Sequence, residues 1–600
     1  MKSAAPISVA LATAGLMATA VSAQIADRRR PPQLIRENLG VAVPMRDGIR
    51  LTANVYLPAG TGRWPTVFVR TPYDRRGPAA SSYRYFLRHG YAVVIQDVRG
   101  RYGSQGIFGP IEQEGPDGSD TLNWIASQPW SNGRVAMAGS SYLGLTDWWA
   151  AIENNPHLKA ISPMYSGDDE YLDRYYSPGG ALQLGHRLLW LAENFTLPTE
   201  VKPLFKSYIY DLPLQTADVS ATGHILPLWR GAIAHPSEDS YWRKSSIRER
   251  MRNVSVPVLS FAGWFDTYAE SDLDAFSRLS RRHVPVETWV GPWAHNPGWK
   301  FPTRDFGRQA EIGIRSKQAQ WFDTWMAAAG SEAITVNGEP ELHVFIMGPN
   351  VWREEHEWPL ARTRYTPLYL SSSGHANTAS GDGSLRWQPV RKSAPDTFTY
   401  DPRNPVPTAG GSTCCEPQIL PPGPLDQTRV ERRDDVLVYT SEPLPEEVEV
   451  TGPVRVILYV STSTNDTDFT AKLVDVQPQG RPLLVTDGIQ RLRYRPSLDR
   501  PVFVKRNTAY QISVDAGVTS YVFAPGHRIR LEVSSSNFPR FDRSLNTIRP
   551  NGEESKLTKA RQTVLHEKGY PSAVVLPIIP RSTPRGGSAN PERQQPRPQG

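Results

Sequence analysis

The chain has 600 residues, with 67 Lys and Arg against 60 Asp and Glu and a formal charge of +7. That length exceeds what one hydrophobic core supports, so two or three domains are expected. The small basic excess is scattered rather than gathered into a stripe, which argues against nucleic acid as a partner. Only two cysteines are present, the adjacent Cys414 and Cys415, which excludes a disulfide framework. A strained vicinal disulfide and two buried loop thiols both remain open for that pair. The twelve histidines form neither H-E-x-x-H nor a Cys/His metal spacing, so no metal and no cofactor is expected.

Residues 1–23 read as a secretory signal. Lys2 gives the positive start, Ile7 to Val21 the apolar stretch, and Val21-Ser22-Ala23 the small-residue cleavage site before Gln24. The competing reading is an uncleaved anchor. No later stretch reaches the ~20 apolar residues a membrane span requires. The mature chain is expected to be secreted or periplasmic, with no membrane association after cleavage.

Val41-Ala42-Val43 and Leu51 to Tyr56 flank an Arg46-Asp47-Gly48 turn and predict an opening strand pair. Pro65 to Val69 and Tyr91 to Ile95 are short buried-strand runs, with a helical segment from Ala79 to His89 between them. A helix over Gly118 to Ser127 leads to the strand Val135 to Ala138. Strands alternating with helices predict a parallel sheet covered on both faces. The alternation stops from about Gly167 to Arg252, a stretch rich in Tyr, Trp, Leu and Arg with helical periodicity in Ala181 to Glu193. It resumes at Val256 to Phe261 and Val286 to Val290, and a helix over Arg308 to Ala328 closes the domain. After Ile334 short strand-like runs separated by Pro and Gly begin with Glu341 to Ile346, the pattern of an all-β sandwich, read as a jelly roll. The expected division is an α/β domain over 36–166 and 253–333, a helical cap inserted at 167–252, and a jelly roll at 334–580. A tail at 581–600 has too little apolar surface to order itself.

The chemistry centres on Gly139-Ser140-Ser141-Tyr142-Leu143-Gly144. A strand precedes it and a helical run follows, the setting of a nucleophile elbow. Ser141 is chosen over Ser140 because Gly139 stands two positions before it, although glycine after it is delayed to Gly144. A serine nucleophile requires a histidine base and a carboxylate to orient it, in the chain order Ser, Asp, His for this fold. Asp266 follows one strand and His295 follows the next, both at the sheet's C-terminal edge. Asp266 also reads as a helix N-cap. Asp272 and Asp274 are weaker rivals inside that helix. The oxyanion requires two donors. The Tyr142 backbone N–H is one, and the Tyr73 hydroxyl is the candidate for the other, against an ordinary half-buried tyrosine.

These residues resemble the cocaine esterase / X-Pro dipeptidyl-peptidase family (CocE/NonD hydrolases), which includes α-amino acid ester hydrolases and glutaryl-cephalosporin acylases. The resemblance spans about residues 36–575. It rests on Thr71-Pro72-Tyr73, Asp97-Val98-Arg99-Gly100 with Ser104 and Gly106, Gly139 to Gly144, Gly263 to Asp266, Gly291 to His295, and Asp466-Thr467-Asp468-Phe469. It implies a three-part architecture of α/β-hydrolase domain, inserted helical cap and C-terminal jelly roll, with Ser141 as nucleophile, His295 as base, Asp266 as its orienter, and Tyr73 and Tyr142 as oxyanion donors. The delayed Gly144 is the family's own form. In the α-amino acid ester hydrolases, acidic residues two and three places after the triad aspartate help hold the substrate ammonium, and here those places are Tyr268 and Ala269. The acidic Asp168 and Asp169 resemble that branch's remaining site, and a solvated helix N-terminus is the alternative for Asp168 to Glu170. Tyr171, Tyr175, Tyr176 and Trp190 suit an aromatic acyl group or plain core packing.

The expected function is a secreted serine hydrolase cleaving small-molecule carboxylic esters or amides through an acyl-enzyme. The rivals are an X-Pro dipeptidyl-peptidase, an α-amino acid ester hydrolase or β-lactam acylase, and a catalytically inert glycan-binding protein. Homo-oligomerisation is left open.

Overall fold

A computed structural model describes residues 36–581, apart from 110, 196–204, 206–207, 328–338, 415–416 and 551. The expected signal segment, Cys415 and the tail after Arg581 lie outside the described residues. Cys414 is buried.

The opening pair forms as expected. β1 (Arg36–Pro44) and β2 (Arg50–Leu57) run antiparallel, with Val43 opposite Leu51. β3 (Trp64–Thr71), β4 (Ala92–Asp97), β5 (Ser131–Ser140), β6 (Leu158–Met164), β7 (Val258–Gly263) and β8 (Val286–Gly291) follow. From β4 to β8 the neighbours are parallel, in the order β4-β3-β5-β6-β7-β8. Every residue of β4 and β7 is buried, as required of strands covered on both faces.

Alternate residues feed two cores. Phe68, Val94 and Met137 point to one face, against Leu122 and Ile125 of helix Glu114–Ser127 and Trp148 of helix Tyr142–Ile152. Their neighbours Val67, Val69, Val93, Ile95, Ala136 and Ala138 point to the other, against Tyr83, Phe86 and Phe322. The period of two along each strand divides the side chains in this way. The segment read as a helix over Ala79 to His89 is a short α-turn, Pro78–Ser81, followed by a 3₁₀ helix, Ser82–His89.

The described part of the insertion between β6 and β7 is helical, and its longest described helix is Leu184–Phe195. β6 and β7 still pair, Met164 opposite Phe261, so the insertion leaves the sheet unbroken. It also grips the C-terminal region: the Leu182 N–H donates to Asp542 at 2.9 Å, and the Arg491 N–H donates to the Gly179 carbonyl at 2.9 Å.

One strand sits differently from expectation. After a small ribbon of β9 (Lys300–Phe301) and β10 (Arg304–Asp305), β11 (Glu341–Ile346) does not open the β-rich domain. It pairs in parallel with β8, Val344 opposite Val290, and β12 (Val351–Glu355) completes the edge antiparallel to it. The exposed edge of β8 offered unpaired backbone groups, and β11 covers it. Met347, just past β11, donates to the Ser520 carbonyl at 3.0 Å and accepts from the Val522 N–H at 2.8 Å, tying the two regions.

From Arg364 the regular structure among the described residues is β-strand, apart from one 3₁₀ turn at Leu492–Tyr494. Among the described residues eleven strands form one hydrogen-bonded set, almost entirely antiparallel. Its longest pair is Val448–Thr462 with Tyr510–Phe523, where Leu458 faces Ile512 and buried positions alternate along both strands.

Candidate active site

Ser141 stands between the end of β5 and the helix Tyr142–Ile152, with φ 60° and ψ −123°. A non-glycine residue in that region is strained and persists only where its surroundings fix it. The Ser141 N–H donates to the Met164 carbonyl at 2.8 Å, and the Ser141 carbonyl accepts from Leu145 at 3.0 Å. The flanking glycines are a steric requirement. A Cβ on Gly139 would lie 2.2 Å from the Leu143 carbonyl carbon, and one on Gly144 would lie 2.9 Å from the Ser166 Cβ. Gly144, one place late by the ordinary motif, is therefore the position where the helix crosses close to the strand ends. Ser140 remains a regular strand residue, paired with Met164.

The loops after β7 and β8 are laced together. Trp264 N–H donates to the Gly291 carbonyl and Phe265 N–H to the Trp293 carbonyl, both at 2.9 Å. A Cβ on Gly263 would lie 2.3 Å from the Trp293 oxygen, so only glycine permits this approach. The lacing carries Asp266 to His295, with Oδ1 3.0 Å from Nδ1. Asp266 is buried and His295 borders the cavity that Ser141 lines. Asp266 does not cap the following helix; Tyr268 occupies the N-cap position. The rivals serve elsewhere. Asp272 accepts the Gly167 N–H at 3.1 Å, and burial, with Asp266 and Asp173 nearby, pushes its carboxyl well above the usual range. Asp274 bonds Arg278 at 2.8 Å.

Tyr73 leaves the end of β3 and lines two cavities that also hold Ser141 and Trp190. Its hydroxyl accepts the Trp190 indole N–H at 3.0 Å. The Tyr142 N–H lies at the helix N-terminus, where backbone donors are unshared. The Tyr142 side chain is directed elsewhere: its hydroxyl donates to Glu114 Oε1 at 2.9 Å inside the core. Burial and the Glu114 charge push that phenol well above its usual pKa.

The smaller cavity, about 40 Å³, has Glu170, Arg174, Tyr175, Arg187 and Tyr268 in its wall. Tyr268 lies in that wall with its ring 5.4 Å from that of His295. Asp168 and Asp169 are not brought to either cavity with Ser141. The Asp169 carboxylate caps the turn Glu170–Tyr175, accepting from Tyr171 N–H at 2.9 Å, Leu172 N–H at 3.0 Å and Ser246 Oγ at 2.7 Å. Asp168 is buried on Arg248 at 3.1 Å and Ser271 at 2.6 Å. The helix-terminus reading thus holds for Asp169, but the pair is buried rather than solvated. The acid that reaches the cavity is the next residue, Glu170, 3.2 Å from Arg174. Burial raises its pKa against the pull of Arg174 and Arg187. Glu170, Arg174 and Arg187 carried no signal in the sequence that set them apart from other cap charges.

Among the described residues one group has metal-ligand types, Glu287, Glu341 and His343, at the opposite end of β8 from His295. His343 is stacked on Trp289 with ring centroids 3.8 Å apart, and Lys317 faces both carboxylates.

Two family models match the chain: X-Pro dipeptidyl-peptidase (S15 family) over residues 47–297, and X-Pro dipeptidyl-peptidase C-terminal non-catalytic domain over 335–575. Cocaine esterase of Rhodococcus sp. (strain MB1 Bresler) is 38% identical over 569 residues, covering 90% of this chain and 98% of that one. The structure of an α-amino acid ester hydrolase superposes with a TM-score of 0.78 at 26% identity, covering 94% of this chain and 100% of that chain. An aminopeptidase from the marine sediment archaeon Thaumarchaeota archaeon gives 0.79 at 26% identity, over 93% and 99%. The molecule is thus a serine ester hydrolase, with an α/β-hydrolase catalytic domain and a C-terminal non-catalytic β domain. The chain belongs to the cocaine esterase and X-Pro dipeptidyl-peptidase family, the CocE/NonD hydrolases.

Proposed function

We propose that Ser141, His295 and Asp266 carry ester hydrolysis through an acyl-enzyme. The observation that bears most weight is the 3.0 Å contact of Asp266 with His295 Nδ1, beside the cavity holding the strained Ser141. Asp266 accepts a hydrogen bond from the Nδ1 N–H, which leaves Nε2 as the base. Ser141 Oγ attacks the ester carbonyl as Nε2 takes its proton. The oxyanion is held by the Tyr142 N–H and the Tyr73 hydroxyl. His295 then protonates the departing alkoxide, and water repeats the sequence on the acyl-enzyme.

The acyl group we assign is uncharged and apolar or aromatic. Tyr175, Trp190 and Tyr268 supply ring surface beside Ser141. Asp168 and Asp169 are consumed by internal bonds, and Glu170 is paired with Arg174. An α-ammonium entering the smaller cavity would meet Glu170 already paired with Arg174, which disfavours aminoacyl esters and Xaa-Pro peptides. Glu170 is the observation that favours the rival amine-binding reading. A panel of p-nitrophenyl acyl esters, aminoacyl esters and Xaa-Pro anilides separates them. Simple aromatic or aliphatic acyl esters should show the highest kcat/KM, and preference for a free α-amine would reverse the assignment. A fluorophosphonate probe should label Ser141.

We further read the β domain as a jelly roll and the chain as exported, on the apolar stretch from Ile7 to Val21. Among the described residues no helix is long and apolar enough to cross a membrane.

A further inference from the structure

Trp190 belongs to the cap helix Leu184–Phe195, whereas Tyr73 belongs to the loop after β3. Their hydrogen bond, 3.0 Å from Trp190 Nε1 to the Tyr73 oxygen, crosses from the cap to the catalytic domain. Its direction is fixed, because an indole nitrogen only donates. A phenol proton lies in the ring plane and has two orientations about the C–O bond. An N–H arriving along one leaves the proton the other. We infer that Trp190 is a positioning residue of the reaction: its indole N–H holds the Tyr73 proton turned toward the oxyanion. The inference rests on reading Tyr73 as the side-chain oxyanion donor.

Trp190 is itself braced. Its ring lies parallel to Tyr142, 6° between planes and 6.3 Å between centroids, and the Tyr142 hydroxyl is anchored on Glu114. The Arg187 guanidinium lies over the Trp190 ring, 5.1 Å from the centroid, and Asn194 Nδ2 donates to the Trp190 carbonyl at 2.7 Å. One tryptophan therefore contacts both residues that supply oxyanion donors. A donor oriented before the reaction needs no reorganisation as charge develops, which is where such groups gain their effect. The cap then does more than wall the acyl pocket: it completes the oxyanion site from outside the catalytic domain.

A double-mutant cycle on a p-nitrophenyl ester tests this. Tyr73→Phe should lower kcat about 100-fold, the scale of losing one oxyanion donor. Trp190→Phe should lower kcat about fivefold, the scale of one neutral hydrogen bond. The double variant should be no slower than Tyr73→Phe alone, because the indole acts only through the hydroxyl. Losses of packing would appear in KM and be the same with or without the tyrosine hydroxyl. Multiplied kcat losses in the double variant would overturn the inference and leave the oxyanion reading standing. Unchanged kcat in Tyr73→Phe would overturn both. Benzothienyl-alanine at position 190 keeps the ring shape and removes only the N–H, so it reads the same loss if Trp190→Phe fails to fold. Unaltered kcat with that replacement would also reject the role.

Discussion

Ser141, His295 and Asp266 meet in the hydrolase domain, while Ser372, His566 and Asp396 meet in the β domain. The residue types are identical and the construction is opposite. In the β domain everything converges on the carboxylate. Ser372 Oγ donates to the two Asp396 oxygens at 2.8 and 2.7 Å, His566 Nε2 lies 2.7 Å from Oδ2, Tyr439 donates at 2.7 Å and the Ala376 N–H at 2.9 Å. The serine proton is committed to the acid, and His566 is fully enclosed. In the hydrolase domain Asp266 holds the histidine through one oxygen, and its other oxygen has no hydrogen-bond partner among the described residues. His295 borders an open cavity, and Ser141 is set apart on a strained turn. A saturated hub fastens strands together, whereas a histidine held by one carboxylate oxygen, bordering a cavity that a strained serine also lines, suits the proton transfer proposed above.

Substitution at the serines should split the two sets most widely. Ser141→Ala should lower kcat by about 10⁶-fold, the scale of losing a triad serine, with little change in the urea midpoint. Ser372→Ala should leave kcat unaltered and cost about 1 kcal/mol of stability. Comparable loss of turnover from both would erase the distinction. The acids come next. Asp266→Asn should lower kcat about 10⁴-fold by favouring the wrong imidazole tautomer. Asp396→Asn should spare kcat and lower unfolding free energy by about 3 kcal/mol, since several buried donors lose a charged acceptor. Urea titration together with ester turnover on the four variants measures both columns of the contrast.

The set proposed as catalytic was legible in the sequence because each member follows from a local constraint. Gly139 and Gly144 mark a turn that no side chain fits, and Asp266 and His295 each follow a buried strand run. Asp168 and Asp169 were not legible in the same way. An acid facing a cavity and an acid capping a turn look alike along the chain, and here the deciding partners, Ser246, Arg248 and Ser271, come about eighty to a hundred residues later. The same limit applies to β11. Its alternating pattern suits an edge of either sheet, and only the open flank of β8 decides the matter. The cap–domain bond of Trp190 to Tyr73 joins residues 117 apart, with no pattern that announces it.

Acid should shrink the contribution of the β-domain hub in a predictable direction. Burial alone would raise the Asp396 pKa, but hydrogen bonds from His566, the Ala376 N–H, Ser372 and Tyr439 outweigh it and hold the carboxyl below its usual range. A carboxyl with a lowered folded pKa adds stability that is present above its unfolded value, about 3.9. That stability is lost as pH falls through the folded value. The cost of Asp396→Asn should therefore be constant from pH 7 to about pH 5 and diminish below about pH 4. Urea midpoints of wild type and Asp396→Asn, measured across that interval, should converge on acidification. Midpoints that stay equally separated down to pH 3 would mean the hub's strength does not depend on its negative charge. The geometric contrast would then stand, but its electrostatic explanation would not.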